Sequence, residues 1–594
     1  MCGINGIFAF GDGARVGLEE LRRTRDAMAN RGPDGAGEWL SADSKVGFGH
    51  QRLAIIDLSP QGAQPMASAD GRFRITFNGE IYNYRELRAS LPEAGRSLRT
   101  QSDTEVIMAL YAAEGTRAFG RLRGMFTAAI WDARERTLVL ARDPLGIKPL
   151  YYTHDADTLR FASQVKALLA GGAVPRTLEP AGIVGYLLWG SVPEPHTWVR
   201  GVRALPAGHS LTLTEGGRVG EPVAYPIAAA ESSNDVAALL GDSVRAHLVA
   251  DVPVGVFLSA GLDSSLLAAL AQRESKTPIR TFTVTFAPWR GTARDEAPLA
   301  ARIAETLGTQ HEEHVIDRAE FQSLWSEHLA AMDQPSIDGF NTYLVSRPAR
   351  KAGLKVVLSG LGGDELFGSY SSFTDVPRWR RGAALLAAIP GARSAWPSIA
   401  RTLRPGQPKL AGLAALGGTL PGAYFLRRGL FLPDEVRRLL PQDIAEPGLA
   451  AYDPLLDARR PLAGLPPSDD WLAVHAMESA LYMRNQLLRD SDWASMAHGL
   501  ELRVPLVDAH LERALARLDY EPGRSLGKAA AIALAAPELP REVFSRQKSG
   551  FAVPLEWLEA MDGGVQNATG GSLRARRVAR RVAAHFDLPL EAMA

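Results

Sequence analysis

Cys2 stands second in the chain, behind a Met1 whose removal would leave a thiol and a free α-amine on one residue. An α-amine titrates near ~8, so at neutral pH it can serve as general base for its own thiol. Acyl transfer from a carboxamide also needs donors for the tetrahedral oxyanion. FNGEIYNY (77–84) offers two, the side-chain NH2 of Asn78 and the backbone N–H of Gly79. A free amino-acid amide such as glutamine further presents a carboxylate and an ammonium. Arg52, in QRLAIID (51–57), suits the first through bidentate pairing, and Asp103, in SDTE (102–105), suits the second.

A second set of residues lies far along the chain. FLSAGLDSS (257–265) follows the apolar run PVGVF and opens a helical pattern. Small residues there let backbone N–H groups approach a phosphate, and the helix N-terminus favours its charge. The GK[ST] ending of a Walker A loop is missing. SGLGGDELFGSY (359–370) in turn ends the apolar run KVVLSG. Two strand ends of one parallel sheet, each carrying a Gly-rich turn with an Asp, form a nucleotide site. Asp263 and Asp364 would give hard oxygen ligands to a Mg2+ ion that bridges phosphate oxygens. SRQKSGF (545–551) adds Lys548, a candidate charge partner for departing pyrophosphate.

MCGI, RGPD (31–34), RLAIID, FNGEIYN and SDTE occur in that order, and together they resemble the class II glutamine amidotransferase domain, an N-terminal-nucleophile (Ntn) hydrolase. The resemblance implies that Cys2 attacks glutamine, that Asn78 and Gly79 form the oxyanion hole, and that Arg52, Glu80 and Asp103 hold the substrate. FLSAGLDSS is similar to the SGGxDS pyrophosphate loop of the ATP pyrophosphatases. With SGLGGDELFGSY and DSDWASMAHGLELRVPLVD (490–508), it resembles the synthetase domain of glutamine-dependent asparagine synthetase. That implies ATP and Mg2+ held by Ser259, Ala260, Gly261, Leu262, Asp263, Ser264, Ser359 and Gly360. It further implies adenylation of an acceptor carboxylate, aspartate by default, and its amidation with release of AMP and pyrophosphate. ARDPLGIKPLYY (141–152) matches as a structural or inter-domain segment.

Three positions depart from the pattern. Ala260 replaces the first Gly of SGGxDS, which is tolerable if its φ is negative. Ser369 replaces a Gly of FGGY. Leu361 stands where asparagine synthetases carry an acid, and leucine can neither take a proton nor orient an amine. The acceptor is therefore open between aspartate and another carboxylate, on a sugar, peptide or other metabolite. An intramolecular cyclase sharing the second domain would lack the glutaminase nucleophile, whereas Cys2, Arg52, Asn78 and Asp103 are all present. A non-catalytic scaffold would need a damaged site.

Chemistry of this kind needs rigid elements behind it, and 594 residues are enough for two or three domains. Residues 1–215 alternate β-rich pieces with helical patterns and predict an α+β domain of layered antiparallel sheets. Residues 216–234 are rich in Gly, Pro and Ser and read as a linker. Across 235–560 strands alternate with helices, predicting an α/β parallel sheet with a helical C-terminal part. Residues 561–594 form a basic tail, read as a solvated surface helix.

The 66 basic and 66 acidic residues balance, which argues against nucleic acid as a partner. One cysteine fits a reducing, cytoplasmic setting. The most apolar stretch, about Leu410–Leu426, is broken by Gly and Pro and falls short of a membrane span. The expected partners are glutamine, ATP and a carboxylate acceptor, with a homodimer as a compatible assembly.

Overall fold

The computed structural model describes residues 2–92, 98–228, 235–403, 408–516, 527–546, 553–554, 556–557 and 571–591. The N-terminal part builds two six-stranded antiparallel sheets. The first has β1 (Gly3–Ala9) and β2 (Val46–Arg52) near its centre, with Gly3 opposite Gln51. The second is built around β3 (Phe73–Ile81) and β4 (Gly124–Asp132) and ends at the short strand Val223–Ala224. Ile4, Phe8 and Phe48 of the first sheet share a core with Trp131 and Leu140 of the second, and the Phe8 and Trp131 rings meet edge to face at 5.2 Å. Leu21, on the helix Leu18–Asp26, packs on the outer face of the first sheet. Helix α1 (Asp103–Glu114) lays Val106, Ile107 and Leu110 on Ile75 and Phe77 of the second. The result is four layers, helix–sheet–sheet–helix.

The strand period of two positions the first site. With Ile75 and Phe77 turned to α1, Thr76 and Asn78 turn to the other sheet, where Thr76 meets His50 at 3.0 Å and Asn78 meets Cys2.

The second part carries a five-stranded parallel sheet. Its strands are β5 (Val254–Phe257), β6 (Arg280–Phe286), β7 (Gln310–Ile316), β8 (Val356–Leu358) and β9 (Glu501–Arg503). Across the sheet they run β7-β6-β5-β8-β9. Both faces are covered, so β5 and β8 read as apolar runs rather than alternations. Val254 pairs with Val356 and Val256 with Leu358, which brings the loops after β5 and β8 out side by side. Helix α2 (Leu262–Glu274) follows the first of these loops and the short α3 (Gly363–Leu366) the second.

The described residues between 372 and 496 are mostly in helices and include a π-helical stretch, Glu478–Leu488. The apolar segment near 410–426 resolves into short helices, among them Leu413–Leu416 and Leu420–Arg428. Among the described residues no helix is long and apolar enough to cross a membrane.

The basic tail differs from its sequence reading. The helix Gly571–His585 is not a solvated surface helix but a docked one. Ala579, Val582 and Ala583 are buried in a core shared with Tyr186, whose hydroxyl donates to the Ala579 carbonyl at 2.7 Å. The arginines mask an apolar stripe at helical spacing, and Arg576 pairs with Glu435 at 2.8 Å.

Candidate active sites

The first site sits where β1 and β3 meet. Cys2 is buried, and its backbone N–H donates to the Asn78 side-chain oxygen at 2.9 Å. This fixes the amide plane, and the Asn78 Nδ2 is buried with no hydrogen-bond partner among the described residues. A buried donor of this kind suits a negative oxygen formed beside the thiol. Gly79 adopts φ +154°, and a Cβ there would lie 2.1 Å from the Met125 carbonyl. Only glycine fits between β3 and β4 at this point.

A cavity of about 30 Å3 is lined by Cys2, Arg52, Gln64, Gly79, Glu80 and Asp103. The Arg52 guanidinium is anchored by the Ser59 carbonyl at 3.0 Å and by the Asp57 carbonyl. Asp103 begins α1, accepts from the Ile81 N–H at 3.1 Å, and is pushed up to about 6 by burial. Burial also raises the Cys2 thiol. The structure thus brings Cys2, Gly79, Arg52, Glu80 and Asp103 to one cavity, with Asn78 joined to it through the Cys2 N–H.

The second site occupies the paired loops after β5 and β8. Ser259, Ala260, Gly261, Leu262, Asp263, Ser264, Ser359, Gly360, Leu361 and Asp364 line one cavity of about 490 Å3. Ser264 closes the first loop: its hydroxyl accepts from the Ser259 N–H at 3.1 Å and donates to the Ser259 carbonyl at 3.0 Å. Ala260 is buried and is not among the residues with positive φ, so its Cβ is accommodated. Gly363 allows the two loops to touch, since a Cβ there would lie 2.2 Å from Asp263 Oδ1. Leu361 is half-buried against an apolar cluster that includes Val357 and Met483.

Sequence reasoning missed Lys528. It opens helix α4 (Lys528–Ala535), and its Nζ donates to Asp263 Oδ2 at 2.5 Å and Asp364 Oδ1 at 2.7 Å. Burial would lower its pKa, but the two carboxylates outweigh that and raise it. SLGKAA, a Gly-Lys pair opening an Ala-rich helix, was the available signal. Lys548 lies outside the described residues.

The two sites are wired together by buried charge. Arg31 donates to the Cys2 carbonyl at 3.1 Å and forks onto Asp492 at 2.8 and 3.3 Å. Lys148, within the 141–152 segment, adds a contact to Asp492 at 3.4 Å. Arg503 of β9 pairs with Glu501 and approaches Glu80 at 3.5 Å, and its carbonyl accepts from the Ser359 N–H at 2.9 Å. Burial first, and the Glu501 charge next, hold Glu80 well above the usual carboxylate range.

A sandwich of two antiparallel sheets with the Cys2 thiol beside a buried amide, joined to a parallel sheet with a paired-loop cavity, defines an amidotransferase ligase of two parts. Residues 1–223 match the glutamine amidotransferase domain family and residues 235–586 match the asparagine synthase family. The chain belongs to the asparagine synthase family. It is 31% identical to asparagine synthetase [glutamine-hydrolyzing] 1 of Bacillus subtilis, over 94% of this chain and 88% of the relative. It is 34% identical to a putative asparagine synthetase [glutamine-hydrolyzing] of Mycobacterium bovis, over 94% and 89%. A fungal relative, amidase chry2 of Gibberella zeae, is 33% identical over 63% of this chain and 60% of the relative.

Proposed function

We propose that the chain hydrolyses glutamine at Cys2 and uses the ammonia to amidate a carboxylate that it first activates with ATP. One observation carries this reading: the Cys2–Asn78 pair and the Asp263–Lys528–Asp364 cluster stand in one chain, linked through Arg31–Asp492 and Arg503–Glu80.

In the first site the Cys2 sulfur adds to the glutamine carboxamide carbon. The Asn78 NH2 and the Gly79 N–H steady the oxyanion, ammonia leaves, and water releases glutamate from the thioester. Arg52 and Asp103 hold the amino-acid end, with Glu80 alongside. In the second site an acceptor carboxylate oxygen attacks the α-phosphorus of ATP and pyrophosphate departs. The 259–264 loop, Ser359 and Gly360 cradle the phosphates. The Asp263 and Asp364 oxygens fit a Mg2+ ion, hard donors at two adjacent strand ends. When bound there it would neutralise charge on the phosphate oxygens. Lys528 supplies a cation at the same place, and Lys548 is proposed as a second. Ammonia then attacks the acyl carbon, loses a proton, and AMP leaves.

Aspartate is the acceptor carried by the names of the bacterial relatives and is the first to test. Leu361 and the amidase-named relative favour a different carboxylate. The test is an acceptor screen with purified protein, glutamine and MgATP. The reading expects acceptor-dependent AMP and pyrophosphate with matching glutamate; ADP and phosphate in their place would refute it.

A further inference from the structure

Beside the nucleotide cavity lies a smaller one of about 200 Å3, where the segment after Trp189, the helix Leu420–Arg428 and the π-helical stretch meet. The rings of Trp189, Tyr424 and Tyr482 form its walls, with Arg428, Asn485 and Gln486 as polar lining. Two connections tie it to the nucleotide cavity. Tyr370, which follows the cavity-wall residue Ser369, lies under the Arg428 guanidinium at 4.4 Å and donates to Glu365 at 3.0 Å. On the other side Gln486 donates to Asp338 at 3.4 Å, just ahead of Asn341 and Thr342 of the nucleotide cavity.

Among the described lining residues Arg428 is the one charged side chain. Its charge is already matched by buried Glu478, through Nε and Nη2 at 2.9 Å each. Its faces are taken by Tyr370 and by Tyr482, the latter at 3.8 Å. The α-ammonium and α-carboxylate of aspartate would need an anion and a cation free of each other, and here the two charges already balance one another. What remains is aromatic wall and two polar atoms without a hydrogen bond among the described residues, the Arg428 Nη2 donor and the Asn485 side-chain oxygen. Asn485 is 5% exposed, and its side-chain oxygen has no hydrogen-bond partner among the described residues. A buried acceptor of this kind calls for a donor from a ligand.

Building on the amidation reading, we propose that this cavity holds the body of the acceptor, a ring-bearing carboxylic acid with an O–H or N–H donor for Asn485. Its carboxylate reaches the nucleotide cavity past Tyr370, and the apolar Leu361 borders its path. Ring stacking on the Tyr and Trp faces supplies the recognition that charge supplies for aspartate.

The test uses full-length enzyme with glutamine and MgATP, and aspartate, 4-hydroxyphenylacetate, 4-hydroxycinnamate and indole-3-acetate as acceptors. Pyrophosphate release is followed for each. At least one ring acid should exceed aspartate in kcat/KM by tenfold or more. Leu481→Trp, which fills the cavity, should raise the KM of that acid at least tenfold while glutamine hydrolysis and the KM for ATP stay unchanged. Asn485→Leu should raise the KM in the same direction, which guards against a misfolded Trp variant. Efficient aspartate turnover with no response to a ring acid would overturn the inference and leave the amidation reading standing. Pyrophosphate release with no acid at all would overturn both.

Discussion

Lys528 donates to Asp263 over 2.5 Å from a helix that begins more than two hundred residues further along the chain. The same ammonium reaches Asp364, so one cation joins the two loops that would receive phosphate. Lys528→Met removes a preorganised charge from the point where pyrophosphate leaves. Losses of that kind cost ~10²–10³ in kcat. Acceptor-dependent pyrophosphate release should fall by about that factor, with glutamine hydrolysis intact. A synthetase rate within twofold of wild type would remove Lys528 from the chemistry.

Asp103 makes glutamine hydrolysis sensitive to acid. Burial pushes its carboxyl up to about 6, so below that pH it is neutral and loses its attraction for the substrate ammonium. The kcat/KM for glutaminase, which reports the free enzyme, should fall as pH drops through about 6. Asp103→Asn should lower kcat/KM at neutral pH and remove this acidic limb. A profile flat down to pH 5 would contradict the assignment.

Much of the glutamine site was legible because its residues lie close to strands whose period is fixed. Asn78 and Glu80 are two apart on β3 and so share one face of it, a placement the strand period alone predicts. The second site was half legible. The loops after β5 and β8 follow from apolar runs and Gly-rich turns, and the negative φ of Ala260 removes the one backbone objection. Lys528 was not legible, because its role exists only through the tertiary placement of α4. The tail was misread because counting arginines hid the stripe Ala579, Val582, Ala583 that buries it.

Arg31 and Asp492 form a buried ion pair between the two parts, each side chain 2% exposed. Removing one partner of such a pair costs about 3–5 kcal/mol, because the other charge stays buried. Arg31→Met should therefore lower the thermal unfolding midpoint and weaken glutaminase as well, since Arg31 also holds the Cys2 carbonyl. Burial would raise the Asp492 pKa, but Arg31 and Lys148 outweigh it and hold it below the ordinary value. The stabilisation is thus present above the unfolded carboxylate pKa, near ~3.9, and is lost as pH falls through the lower folded value. An unchanged midpoint in Arg31→Met would contradict this.

Leu361 cannot take the proton that ammonia loses, and after Asp364, which is proposed for the metal, Glu365 is the nearest acidic residue in sequence. Its side chain is buried, bonded to the Tyr370 hydroxyl at 3.0 Å, and pushed up to about 7 by burial. A general base contributes ~10²–10⁴-fold. Glu365→Gln should lower amide formation and abolish its rise with pH near 7, while Leu361→Glu, which buries a charge against Val357 and Met483, should impair acceptor turnover without restoring aspartate. Efficient aspartate amidation by the Leu361→Glu variant alone would show that the acid, not the pocket, sets the acceptor.

The central claim is that one thiol feeds ammonia to a separate ATP-driven amidation, and Cys2→Ala tests it most directly. Glutamate formation from glutamine and pyrophosphate release with added ammonium are measured in the same preparation. The account predicts that the first disappears and the second persists. Glutamine hydrolysis near the wild-type rate in Cys2→Ala would contradict it.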